Sequence, residues 1–233
     1  MALRDIAIVG TAQRPSEVNS TFTSVEILLP VIQQLLDKVG IERSEIGFWC
    51  HGSCDYMSGQ PFSFVAAVDA IGAWPPIIES HVEADGALAL YEAWVKIQTG
   101  EVDVALVFSN GKTTSGPIDQ ILSLQTDPYM VAPLKPGFDA LAALQARACL
   151  DAGVVTERQM AEVASRSRRD ANNNAIAFTK GNESVEELLA MPYTMNPLRA
   201  HDCATPVDGC NAVVLAAGDI ARRLAARPAW IRG

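Results

Sequence analysis

Cys50-His51-x-x-Cys54 is the first pattern in the chain whose residue types could do chemistry, because thiols and imidazoles are ligands that zinc prefers. Its spacing is not that of a zinc knuckle and no second close pair follows, so no metal is expected there. Arg166, Arg168 and Arg169 gather three guanidinium groups of the kind that grip phosphate, although such a run on a helix also reads as a solvated face. His51 and His81 fall near expected strand ends, where they line a cleft or sit satisfied in core or surface. Asp85, directly before Gly86 and a helical pattern, has the type and place of an N-cap. Asp208-Gly209 reads as a turn into a strand.

The elements that would position these residues alternate through the first half. Asp5 to Gly10 reads as a buried strand and Ser24 to Val39 as a helix that Pro30 either kinks or starts. Phe48 to Cys50 forms a second strand, Phe62 to Ile71 a helix, Pro76 to Val82 a third strand, Gly86 to Thr99 a helix and Val102 to Phe108 a fourth strand. Such alternation implies an α/β fold with a mainly parallel sheet covered by helices. The pattern breaks at Ser109. Helices then follow at Phe138 to Ala152 and Thr156 to about Asn172, the second opened by the capping-box spacing Thr156-x-x-Gln159, and Ser184-x-x-Glu187 opens a shorter one. A fifth strand returns at Asn211 to Ala216, with a helix at Asp219 to Ala226 and a further strand from Pro228. The expected organisation is therefore one core from 1 to 109 and 209 to 233, with 110 to 208 inserted between two strands of one sheet.

Composition narrows the function classes. With 49% hydrophobic and 19% charged residues the chain is too apolar for disorder, and no run approaches a membrane span. The charged start Met1-Ala-Leu-Arg-Asp5 before a short apolar run reads as the beginning of a first strand and not as a signal peptide. A net charge of −9 argues against nucleic acid and anionic lipid as partners, which reward clustered positive charge. Any polyphosphate ligand must find a local basic site. Five scattered cysteines form an odd set, so reduced thiols in a cytoplasm are expected.

Two segments carry a resemblance. Val82-Glu83-Ala84-Asp85-Gly86-Ala87-Leu88, followed by Gly100-Glu101-Val102-Asp103-Val104-Ala105-Leu106, is similar to the strand, turn and helix of the thiolase superfamily, where a Cys-Ala-Ser-Gly motif stands. Gly86 matches its glycine and Glu83 falls where its cysteine should be. His201-Asp-Cys-Ala-Thr-Pro-Val-Asp208-Gly209-Cys-Asn-Ala-Val-Val-Leu-Ala216 resembles the sterol-carrier-type subgroup, as does Ser165-Arg-Ser-Arg-Arg-Asp-Ala-Asn-Asn-Asn-Ala-Ile-Ala-Phe178 before it. That subgroup has a catalytic His-Asp-Cys motif in its second half. His201-Asp202-Cys203 lies in the first, so His201 and Cys203 are read as non-catalytic.

The resemblance implies a thiolase-like fold of two similar halves, of which this chain is the N-terminal one, with further catalytic groups supplied by the half it lacks. A thiolase cysteine is activated by a helix N-terminus and a histidine base. Helix amides favour an ionised Glu83, and a carboxylate accepts acyl groups poorly from thioesters, so a catalytic Glu83 would serve other chemistry; a structural role is the alternative. Relatives in steroid side-chain degradation are aldolases that work with a small OB-fold acyl-CoA-binding partner. The resemblance thus implies retro-aldol cleavage of a β-hydroxyacyl-CoA with a branched or steroid-derived side chain, by a carbon–carbon lyase needing no cofactor beyond its CoA thioester substrate. Arg166, Arg168 and Arg169 would meet the CoA phosphates. A non-catalytic lipid-binding or scaffolding subunit is the alternative, and a thiolase-type acyltransferase is the reading Glu83 opposes. The family also implies a homodimer, paired through the strand Pro76 to Val82.

Overall fold

The computed structural model describes residues 3–59, 61–137 and 139–232. In chain order its elements are β1 (Ile6–Gln13), α1 (Ser24–Val39), β2 (Phe48–Ser53), α2 (Asp55–Ser58), α3 (Phe64–Ile71), β3 (Ile78–Glu83), α4 (Gly86–Gln98), β4 (Val104–Gly111), α5 (Ile118–Leu124), α6 (Ala140–Asp151), α7 (Glu157–Ala171), α8 (Val185–Ala190), β5 (Tyr193–Met195), β6 (Leu198–Arg199), β7 (Gly209–Ala217), α9 (Gly218–Leu224) and β8 (Ala229–Trp230). Two compact units divide the chain, one of residues 1–115 with 207–233 and one of 116–206.

The first unit holds a sheet in the order β3-β2-β4-β7-β1-β8. β2 lies parallel to β3 and to β4, while β7 runs antiparallel to both β4 and β1. Among the five long strands β7 alone is therefore reversed, which is the mainly parallel arrangement the alternation implies. β4 and β7 are direct neighbours although about a hundred residues separate them, and the short β8 adds a sixth strand beside β1.

Side-chain alternation divides the core into two layers. Trp49, Leu106, Phe108, Val214 and Ala216 face α1, α3 and α9, which supply Ile27, Leu28, Leu35, Ala67, Ala70 and Ala221. Phe48, Cys50, Ala105, Val107 and Leu215 face α4, which supplies Ala89, Ala93 and Ile97. Trp49 stacks between Phe64 and Phe108, each ring 5.4 Å away. No helix among the described residues is long and apolar enough to cross a membrane.

Several expectations are corrected. Pro30 lies inside α1, which a Thr23–Glu26 capping box opens at Ser24, so proline does not start that helix. β2 runs three residues beyond Cys50, because β4 pairs with it as far as Gly52 and β3 as far as Ser53. Asp208 makes no simple turn. It is 1% exposed, its carboxylate accepts from the amides of Ser20 and Thr114 and from the Thr114 hydroxyl, and its backbone pairs with Glu17, tying three distant segments together.

Gly52 has a steric reason to be glycine. A β-carbon there would stand 2.4 Å from the carbonyl oxygen of Asp85 and 2.6 Å from its carbon, so β2 passes directly beneath the β3–α4 turn. Gly52→Ala must push that backbone away, and overpacking of this kind costs roughly 1–3 kcal/mol. We expect a lower urea midpoint with an unchanged slope.

Within the second unit, Thr156 with Gln159 and Ser184 with Glu187 form the capping boxes that open α7 and α8. α6 begins at Ala140, and Phe138, the expected first residue of that helix, lies outside the described residues. The β5–β6 hairpin and α5 have no counterpart in the sequence patterns.

Candidate functional site

The C-terminal ends of β2, β3 and β4 and the start of β7 meet around a cleft of about 200 Å³ in the first unit. Ser53 and Cys54 line it from β2, Ala84 and Asp85 from the β3–α4 turn, Asn110 and Gly111 from β4, and Asn211 from β7. Strand ends on a parallel sheet leave such a crevice because successive strands turn away into helices on opposite faces.

Asp85 caps α4 as its position implies, accepting from the amides of Ala87 at 2.9 Å and Leu88 at 3.0 Å. Those are the amides expected to favour an ionised Glu83, and Asp85 engages them instead. Glu83 ends β3, is exposed, and accepts at Oε1 from the amide of Asp55 at 2.7 Å, the first residue of α2. The carboxylate thus binds backbone amide, as a structural role requires, and reaches a different helix from the one it precedes.

The same face of the sheet holds a polar cluster that sequence reasoning did not assemble. His51 and His81 are register partners on β2 and β3, as are Ser53 and Glu83, so the period of two places all four on one face. Ser53 Oγ lies 3.1 Å from His81 Nε2 and 2.5 Å from Ser63 Oγ. Asp55 accepts from the amides of Phe62 at 2.6 Å and Ser63 at 2.9 Å. Asp55, His81 and Glu83 bring three ligand-type atoms within 4.8 Å of one another, the one group among the described residues that could hold a metal ion. His51 is fully buried, with Nε2 2.7 Å from Asn110 Oδ1. Burial pushes its imidazole down to about 4, against the opposing pull of that hydrogen bond. The signal that could have revealed this cluster is polar residues recurring at alternate positions of otherwise apolar strands.

Cys50 and Cys54 do not form a metal pair. Cys50 faces the α4 side, with Sγ 3.9 Å from Glu92, and burial pushes its thiol up to about 12. Cys54 donates to the carbonyl of Ala84 at 3.1 Å, and burial with the carboxylates of Glu83, Asp85 and Asp55 sets its thiol above the usual range, against the opposing hydrogen bond with Tyr56. Cys210 is pushed up to about 12, again by burial. No thiol lining the cleft is poised as a thiolate.

In the second unit the three arginines have separate surroundings. Arg168 pairs with Glu183 at 3.0 Å, Arg169 approaches Asp170 at 3.7 Å, and Arg166 is exposed. Arg168 also lines a cavity of about 330 Å³ with Ser167, Thr179, His201 and Cys203. Burial lowers the affinity of His201 for a proton and pushes the Cys203 thiol up to about 11.

No family model matches the chain. Its sequence is similar to the acetyl-CoA acetyltransferase of Methanothermobacter thermautotrophicus, at 24% identity over 99% of this chain and 61% of that protein. In structure it is similar to an Ltp2-ChsH2(DUF35) aldolase, with a TM-score of 0.79 at 21% identity, covering 100% of this chain and 61% of that one. It is also similar to human mitochondrial 3-ketoacyl-CoA thiolase, with a TM-score of 0.73 at 12% identity, covering 95% and 68%. The chain therefore spans about three fifths of the length of the curated relative, and at these identities the likeness is one of fold.

Proposed function

We propose that this chain, whose fold is that of the thiolases, belongs to an acyl-CoA-binding protein that cleaves a carbon–carbon bond by retro-aldol chemistry. The observation that carries the reading is Glu83. At the strand-to-helix turn where the resemblance expects an acyl-accepting thiol, the chain has a carboxylate, and the thiol of Cys54, which lines the same cleft, is raised above its usual range and hydrogen-bonded to a carbonyl. Covalent acyl transfer is thereby disfavoured, whereas retro-aldol cleavage needs no acyl-enzyme. A base takes the proton of the β-hydroxyl, the Cα–Cβ bond breaks, its electron pair passes to the thioester as an enolate, and a proton returns to Cα. Base and enolate-stabilising groups from the remainder of a longer protein would complete the site.

The aldolase likeness supports the lyase class; a branched or steroid-derived substrate and a small OB-fold acyl-CoA-binding partner are what the sequence resemblance adds to the proposal. Arg166 and Arg169, exposed on α7, are the better placed of the three arginines for CoA phosphates, since Arg168 is already paired with Glu183. The exposed edge of β3, which among the described residues has a neighbour only in β2, is the surface for an antiparallel homodimer in a cytoplasmic assembly.

The test supplies the whole protein and its partner with a branched β-hydroxyacyl-CoA and follows ketone and shortened acyl-CoA by chromatography. Both products should appear in equal amounts. Tight binding of the thioester with no cleavage would reject the lyase in favour of a non-catalytic lipid-binding subunit.

A further inference from the structure

We infer that Asp55, His81 and Glu83 form a binding site for one divalent first-row cation of the Zn²⁺ or Co²⁺ kind. One imidazole and two carboxylates are a donor set such ions take. His81 and Glu83 stand two residues apart on β3, hence on one face, and Asp55 is brought to them by the turn that follows β2. Their ligand atoms lie within 4.8 Å of one another. Around a tetrahedral ion with bonds of about 2.1 Å, ligand atoms stand roughly 3.4 Å apart, so side-chain rotation closes the remaining gap. Both carboxylates have capacity left, and His81, whose Nε2 lies 3.1 Å from Ser53 Oγ, has its second ring nitrogen to offer. Glu83 engages the Asp55 amide through Oε1, and Asp55 receives one amide on each oxygen, which leaves further lone pairs on both.

Two observations independent of that proximity point to a cation. Among the described residues no salt bridge reaches Asp55 or Glu83, so two carboxylates stand together with no positive partner in a strongly acidic chain. Second, the fully buried His51 lies beside the cluster, its ring 5.2 Å from that of His81. With Nε2 donating to Asn110 Oδ1, its Nδ1 is a bare lone pair in the interior, and it has no partner. A buried acceptor of this sort calls for a proton donor, and a water acidified by a bound cation is one.

The ion would clip the β2–α3 connection to the edge strand and neutralise the charge next to the turn that carries Glu83. Its occupancy does not depend on the retro-aldolase reading. For the test, the protein is freed of metal with a chelator and titrated with Zn²⁺ by calorimetry and with Co²⁺ by visible absorption. One equivalent should bind. Glu83→Gln and His81→Asn should each weaken binding at least tenfold, while Glu79→Gln, an exposed carboxylate on the same strand, should leave it unchanged. Near-ultraviolet circular dichroism of the metal-free variants checks that β3 is intact, and two variants are used so that the loss of one fold still leaves the other to decide. The assignment is overturned by no saturable binding, by binding that survives both substitutions, or by a thiolate-to-cobalt band that Cys54→Ser abolishes.

Discussion

Given a 3-ketoacyl-CoA and free CoA, the whole protein should release no acetyl-CoA above the uncatalysed rate. Thiolysis requires an acyl-enzyme, and the strand-to-helix turn offers only Glu83. Neither Cys54, which lines the cleft, nor Cys210 on β7 substitutes for it. Cys54 donates its proton to a carbonyl and Cys210 is buried, with thiols raised above their ordinary values, so neither is a ready nucleophile at neutral pH. Glu83→Cys alone should not restore thiolysis, because Asp85 already occupies the helix amides that would lower the new thiol. Glu83→Gln separates the two roles of the native residue. It keeps an acceptor for the Asp55 amide and removes the charge, so a hundredfold fall in aldol cleavage at unchanged stability, about 3 kcal/mol of barrier, would mean that the charge serves the reaction. Normal turnover with a lowered melting temperature would make it structural. Mass spectrometry of the native protein after exposure to acyl-CoA is the direct check, and an acylated Cys54 or Cys210 would sink the acyl-enzyme argument.

How far the sequence foretold this architecture depends on how local each determinant is. Capping boxes at Thr156 and Ser184 are written in four consecutive residues, and both form as spaced. Buried strands such as Val104 to Phe108 declare themselves by unbroken apolar runs. Asp208 is a contrary case, because its partners Ser20 and Thr114 lie 188 and 94 residues away and nothing beside it in sequence tells that they will converge. The polar cluster at the strand ends was hidden for the same reason. Ser53, His81 and Glu83 meet only through the parallel register of β2 and β3, and Asp55 joins them from a helix of four residues, too short to leave a periodic signal. Glu83 stood out only by comparison with a cysteine-bearing pattern. Its actual partner, the Asp55 amide, belongs to that unread helix.

Between about pH 7.5 and about pH 5 the protein should lose about 2 kcal/mol of stability, most of it through His51. The side chain is fully buried and faces Asn110 and Phe108 of β4, His81 of β3 and, further off, Asp55. Burial lowers its proton affinity from 6.5 to about 4 in the folded state, while the unfolded chain keeps the ordinary value. In the window between those values the unfolded state binds the extra proton, so stability is complete above pH 6.5 and drains away as the pH falls toward 4. The full shift corresponds to about 3 kcal/mol. His201, lowered in the same direction by burial, adds a smaller slope of the same sign. Carboxylates act further down the scale: the Arg199 guanidinium holds Glu157 below its usual range, and its contribution is lost only when that carboxyl is protonated. Urea titrations across the window, with a chelator present to keep cations from the neighbouring carboxylates, give the wild-type slope. His51→Gln retains a donor for Asn110 and removes the titrating ring, so most of the dependence between pH 6.5 and 5 should vanish. A slope that persists at full size in that variant would assign the acid sensitivity to another group.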